Sequence, residues 1–279
     1  MMLREIFRYE LGLQARRVTP WLSFVLLFGF VYQVANEAQI EQARDGGYLF
    51  NSPFALGVVS VLGSLMGLLV PAPLAGDAAA RDVQLRMHPL FYTTPVGRTA
   101  YLGGRFLAAF ALTALVVLAV PLGLLLAAYA PGPEPELMGP LWPAAYAGVY
   151  LCITLPNAFV ACALMFSLAV LSRRAMTAYL VAVLLFATTL VGRIYVAGAL
   201  RHWGAGKLVD PLGFTVLNEL SKSWTPGEKN TGLLELAEAL AANRLLWLAL
   251  AAAALAFTHL RFRFAHPGVD AGRGRRAAA

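Results

Sequence analysis

The side chains that could do chemistry are few and scattered. The four histidines, His88, His202, His259 and His266, lie far apart, and no H-E-x-x-H occurs. The spacing therefore offers no zinc site of the kind built on one helical turn. Gly204-Ala205-Gly206-Lys207 comes nearest to a phosphate-binding glycine loop. It lacks the spacing and the hydroxyl residue of G-x-x-x-x-G-K-[ST], in which backbone N–H groups cradle phosphate and the hydroxyl holds Mg²⁺. No G-x-S-x-G turn presents a serine nucleophile. Cys152 and Cys162 share one apolar run; on a helix they are separated by about 15 Å of rise, too far for a disulfide, and they read as packing residues. The chain is expected not to be an enzyme and to carry no metal or cofactor of its own.

The remaining polar residues gather in two stretches. The first, residues 76–105, reads GDAAARDVQLRMHPLFYTTPVGRTAYLGGR and is the longest charged interruption in the first two-thirds of the chain. Asp77, Arg81 and Asp82 fall where residues 77–87 can form a short helix. Asp77 near its N-terminus suits the helix dipole, and His88-Pro89 ends it. Phe91, Tyr92 and Pro95 follow, then Arg98. Apolar side chains in a loop suit a docked partner; the other reading is an aromatic belt at the lipid headgroups. The second stretch, residues 201–243, holds the turn signal Asp210-Pro211-Leu212-Gly213 and the run Trp224-Thr225-Pro226-Gly227-Glu228-Lys229-Asn230. It could contact a substrate or cap the bundle.

The elements that must position these stretches are membrane helices. The sequence is 59% hydrophobic and 13% charged, with a mean hydropathy of +0.66, where soluble domains carry about 25% charged residues. A spanning helix needs about 20 mostly apolar residues. Six runs qualify, at 20–35, 53–69, 106–129, 144–171, 175–200 and 245–260. None alternates as barrel strands would. The fold class is thus an all-α membrane protein with six transmembrane helices. Before them, Leu3, Ile6, Phe7 and Leu11 recur at helical spacing among Arg4, Glu5, Arg8, Arg16 and Arg17, which predicts an amphipathic interfacial helix over 1–18.

Several spans carry interruptions. Pro71 and Pro73 are expected to end the second, where Gly63 and Gly67 form a GxxxG spacing that can admit a neighbouring helix. Pro121 is expected to kink the third. Pro156 and Asn157 lie near the middle of the fourth. They mark either a break of the kind that lines a substrate path or a proline kink whose freed backbone Asn157 satisfies. Arg193 in the fifth either lines a path for an anion or snorkels to the interface. Residues 233–242 can form a short surface helix, and the Gly-, Arg- and Ala-rich tail 264–279 is expected to be disordered and basic.

The net charge of +7 is explained by this topology rather than by nucleic acid, since no basic face with interleaved aromatics occurs. Arg4, Arg8, Arg16, Arg17, Arg81, Arg86, Arg98, Arg105, Arg173, Arg174 and the terminal arginines fall on one set of alternating connections. The other set has Arg44, Arg201, Lys207, Lys222 and Lys229, with Arg193 and Arg244 at its borders. Short cytoplasmic loops are the basic ones, which predicts both termini in the cytoplasm and an even number of spans. No span interior holds Asp or Glu, which argues against proton- or sodium-coupled transport. A passive channel is disfavoured by the absence of charged rings or polar stripes.

Asp77, Arg81 and Asp82, followed by Tyr92-Thr93-Thr94-Pro95-Val96-Gly97-Arg98, Tyr101 and Gly104-Arg105-Phe106, resemble the region between spans 2 and 3 of the ABC-2 exporter permeases. Asp210-Pro211-Leu212-Gly213, Trp224-Thr225 with Glu228-Lys229-Asn230, and Asn243-Arg244-Leu245-Leu246-Trp247 resemble the permease portion of bacterial proteins that fuse ABC-2 segments to an M1-type aminopeptidase. The resemblance covers nearly the whole chain. It implies a six-span permease in a bacterial inner membrane, paired with a second permease unit and energised by a separate ABC ATPase docked on residues 76–105. The fused proteins continue into further spans and a zinc peptidase, while this sequence stops at Ala279 without a zinc motif. A split subunit, a shortened relative or a truncated chain is expected, and peptidase activity does not transfer. The competing expectation is a non-transporting scaffold that anchors a partner enzyme.

Overall fold

The structure is a computed structural model that describes residues 2–85, 87, 96–129 and 135–263. The described residues are 85% helical and include no strand. Among them, six helices are long and apolar enough to cross a membrane, and the chain is compatible with an integral membrane protein. In order, the elements are α1 (Met2–Ala15), α2 (Val18–Gly46), α3 (Pro53–Gly67), α4 (Pro71–Gln84), α5 (Arg98–Val117), α6 (Ala119–Tyr129), α7 (Pro143–Ser172), α8 (Thr177–Ala199), α9 (Trp203–Val209), α10 (Phe214–Ser223), α11 (Pro226–Thr231) and α12 (Leu233–Arg261). Helices α3 with α4, and α5 with α6, each make one of the six long spans.

Proline placement explains the interruptions. Pro53 sits at the first turn of α3, where its missing N–H costs nothing, and the Ser52 hydroxyl caps the end by accepting from the Ala55 N–H at 3.2 Å. Pro71 does not end the span. A turn at residues 68–70 restarts a helix with Pro71 in its first turn, so the second span runs on to Gln84. Pro121 follows a break at Leu118, between α5 and α6. In α7 a π-helical turn over Tyr150–Thr154 precedes Pro156. That wider turn absorbs the missing donor, so α7 is bulged but continuous through the membrane-length segment.

Helix α7 is central, packed against α4, α5, α8 and α12. Phe106 and Phe110 of α5 meet Phe159 and Phe166 of α7, with ring centroids 5.2–5.8 Å apart between helices. Gly76 lets α4 approach the start of α8 so closely that an added Cβ would lie 2.8 Å from the Ala175 carbonyl oxygen. Gly63 of the GxxxG pair is crowded by Val120 and Val31, whereas Gly67 has only Val117 at 4.0 Å. Outer faces of α2, α8 and α12 leave Leu22, Val25, Leu26, Leu180, Val183, Leu245 and Leu260 exposed. An apolar girdle of this extent is what lipid covers.

Three expectations change. Residues 36–52 are helical as far as Gly46, through a π-helical turn at Ala35–Gln39. Residues 76–105 are not a loop throughout: 76–84 belong to α4 and 98–105 to α5. Residues 233–242 are the first turns of the continuous α12, which makes the sixth span long rather than short. Helix α1 forms where an amphipathic helix is expected and turns a face toward α5: Ile6 and Leu3 pack on Gly104 and Gly103, while Glu10 and Gln14 are its buried residues. The tail 264–279 lies outside the described residues.

Candidate functional site

Two buried polar clusters and one cavity stand out. The first cluster joins α1, α4 and α5. On one face of α4, Arg81 reaches Glu10 of α1 with both terminal nitrogens, at 2.6 and 3.2 Å. Its Nε donates to Asp77 at 2.9 Å, and Arg17 donates to the same Asp77 carboxylate at 3.0 Å. The Gln14 amide donates to Glu10 at 2.8 Å. One helical turn of Cα positions (77 and 81) thus stacks acid under base. On the adjoining face, Asp82 pairs with Arg105 of α5 at 2.6 Å and accepts from the Tyr101 hydroxyl at 2.8 Å. Arg105 also donates to the Ala78 carbonyl at 3.0 Å. Beyond these, His259 near the end of α12 is 3.0 Å from the Thr99 hydroxyl, and Phe262 stacks on Tyr101 at 5.6 Å.

These contacts reassign three expected docking residues. Arg81 is 8% exposed and Asp82 4%. A charge buried this far needs its partners, and both side chains are taken up by ion pairs within the chain. Asp77 is half-buried and shared with Arg17, and Arg98 alone of the described docking candidates is exposed. Phe91, Tyr92 and Pro95 lie outside the described residues. The helix expected over 77–87 is the final part of α4, ending at Gln84.

The second cluster lies about 22 Å farther along α12, the rise of the fifteen residues between Arg244 and His259. Arg244 donates to the Asn157 side-chain oxygen at 2.5 Å, to the Pro211 carbonyl at 3.2 Å and to the Leu212 carbonyl at 2.9 Å. Asn157 donates to the Leu212 carbonyl at 3.2 Å. Asn243 donates to the carbonyls of Lys207 and Asp210, at 2.7 and 2.6 Å. Asp210, with no exposed surface, accepts from the backbone N–H groups of Leu212 and Thr215. Burial pushes the Asp210 carboxyl above its usual range, and the two N–H bonds pull against that shift. Gly213 is in the left-handed region at φ +82°, and a Cβ there would meet the Arg244 guanidinium at 2.6 Å. Asn157 therefore bonds to Leu212 and Arg244 rather than to freed backbone of its own helix, and α7 continues through Pro156-Asn157.

The other candidate residues of 201–243 are also tied down. Thr225 and Glu228 cap α11 reciprocally; the hydrogen bonds from Thr225 hold the exposed Glu228 carboxyl below its usual range. Asn230 accepts from the Leu49 N–H at 2.8 Å. Trp224 leans on Phe54, centroids 6.3 Å apart. Lys229 is 8% exposed and its ammonium lies 5.2 Å from the ring centroids of both Tyr48 and Phe54. Burial raises the Tyr48 hydroxyl's pKa, opposed by a hydrogen bond with Gln39.

A cavity of about 520 Å³ lies between α2, α3, α8, α10 and α11. Phe54, Val58, Val61 and Leu62 of α3 form one wall, and Arg193 and Lys229 bring positive charge to it. Among the described residues no group of His, Cys, Asp or Glu could hold a metal ion. Glu10, Tyr101, Arg105, Asn243 and Arg244 carry the two clusters without having been assigned roles from sequence. Their signal was present as isolated polar residues near the apolar runs, but nothing in the linear pattern told which group met which. No protein-family model matches the chain, and no curated protein matches it.

Proposed function

We propose that the chain is the membrane-spanning permease subunit of an ABC-2 type exporter in a bacterial inner membrane, with both termini cytoplasmic. A separate ABC ATPase docks on residues 85–98, and a second permease unit pairs with this one across the pathway. The observation that carries the reading is the clamp joining α1, α4 and α5. The segment 85–97 connects the end of α4 to the start of α5. Those two ends are bound to each other by Asp82–Arg105 and to α1 by Arg81–Glu10. A partner pressing on the connector and on exposed Arg98 moves three helices as one body, and contacts from Thr99 and Tyr101 pass the motion to α12. Packed elements with buried ion pairs shift between discrete arrangements rather than bending continuously. The absence of a phosphate-binding loop in the sequence fits an energy source in another subunit.

The test is purification of the tagged chain from native membranes in mild detergent, with ATPase activity assayed in the eluate. A stoichiometric ATPase, lost with Arg98→Glu while the chain stays monodisperse, supports the reading. A clean preparation without ATPase, or with a peptidase as the partner, favours the scaffold instead.

A further inference from the structure

The cavity beside α3 is lined by two cations, neither of them paired with an acid among the described residues. Arg193 lies over the Phe214 ring, its guanidinium carbon 4.2 Å from the centroid, and Lys229 faces Tyr48 and Phe54. Among the described residues neither has a carboxylate within ion-pair distance. Asp45, exposed to solvent, also lines the cavity but pairs with neither. Aromatic faces attract a cation but do not neutralise it, so both charges remain available to an anion that enters the cavity. One wall is apolar: from Phe54 to Leu62 it runs along α3 for about 12 Å. The volume, about 520 Å³, falls inside the range of about 300–1,000 Å³ usual for small-ligand pockets.

We propose that this cavity binds an anionic amphiphile, with Arg193 and Lys229 meeting its phosphate, sulfate or carboxylate and the α3 wall receiving its hydrocarbon. Polar Gln42, Asn218 and Ser221 supply hydrogen-bond partners around the head. The size admits one chain and a compact head. Binding requires no ATP and no partner, so the site stands or falls separately from the exporter reading.

The test is equilibrium binding of radiolabelled dodecyl phosphate, below its micellar concentration, to the full chain in phosphatidylcholine nanodiscs. Saturable binding at one site per chain is expected. Arg193→Gln and Lys229→Gln are each expected to weaken it about tenfold or more, with Arg193→Lys and Lys229→Arg restoring it. Lys222→Gln, which removes a cation lying over Trp203 instead, is expected to leave it unchanged. Dodecanol and dodecyltrimethylammonium are expected not to compete. Adding phosphatidylglycerol to the nanodiscs distinguishes the source: competition assigns the site to a bilayer lipid, and none assigns it to a soluble amphiphile. Equal competition by dodecanol, or unchanged binding in monodisperse Arg193→Gln and Lys229→Gln proteins, overturns the proposal.

Discussion

Replacing Arg81 by methionine isolates the contribution of the clamp. The Glu10 carboxylate is 1% exposed and would keep only the Gln14 amide as a donor. Asp77 would keep Arg17. Removing one partner of a buried pair costs about 3–5 kcal/mol, because the other charge stays desolvated. In a chain of this size 1 kcal/mol shifts the midpoint by about 2–4 °C, so a fall of about 6–20 °C is expected. Adding Glu10→Leu removes the stranded charge, and most of the loss should return, a coupling of about 2–3 kcal/mol. The assay is loss of the monodisperse peak on heating in detergent, at one ramp rate because unfolding of such proteins is commonly irreversible. A single variant within about 2 °C of the parent would mean a surface-like change of about 0.5 kcal/mol, and the clamp would be refuted. So would a double variant that melts at or below the Arg81→Met midpoint.

Three further outcomes follow from particular contacts. Gly76→Ala puts a methyl 2.8 Å from the Ala175 carbonyl oxygen and is expected to cost about 1–3 kcal/mol, whereas Gly12→Ala, with nothing within 4 Å, should gain about 0.5–1 kcal/mol; the same melting assay separates them. Arg244→Leu removes the donor from Asn157, Pro211 and Leu212, and hydrogen bonds to charged groups contribute about 1.5–3 kcal/mol each; limited proteolysis should cut residues 201–232 faster. The Glu228 carboxyl titrates lower in the fold than when unfolded, so the α11 cap is present above the ordinary carboxylate range and is lost as pH falls through the depressed value. Amide exchange over residues 226–231, corrected for intrinsic rates, should rise on acidification, and Glu228→Gln should abolish that dependence.

Hydropathy made the six spans legible because a bilayer imposes length and composition on every crossing. It misplaced their ends at Leu69 and Leu245. Pro71 read as a stop because proline lacks a donor, yet in a first turn that donor is not needed. Leu233–Ala242 read as separate because Glu235 and Glu238 lower its hydropathy, although helix continuity depends on backbone bonding and not on apolarity. The candidate sites were legible as residues but not as roles. Asp77, Arg81 and Asp82 read as a charged surface because the sequence cannot show that Glu10 and Arg105 close on them from other helices. Asn157 and Arg244 are 87 residues apart, a separation at which no periodicity carries information. The capping pair Thr225–Glu228 is local chemistry at a spacing of three, yet it read only as part of a polar run.

If an ATPase drives this chain, it engages the junction of α4 and α5 from outside the clamp. Photo-crosslinking residues placed one at a time at exposed Gln84, Leu85 and Arg98, and at exposed Ser221 in the outer segment, test it directly in native membranes. Adducts with a nucleotide-binding ATPase are expected from the first three positions and none from Ser221. An ATPase adduct from Ser221, or none from any position at the junction, would contradict it.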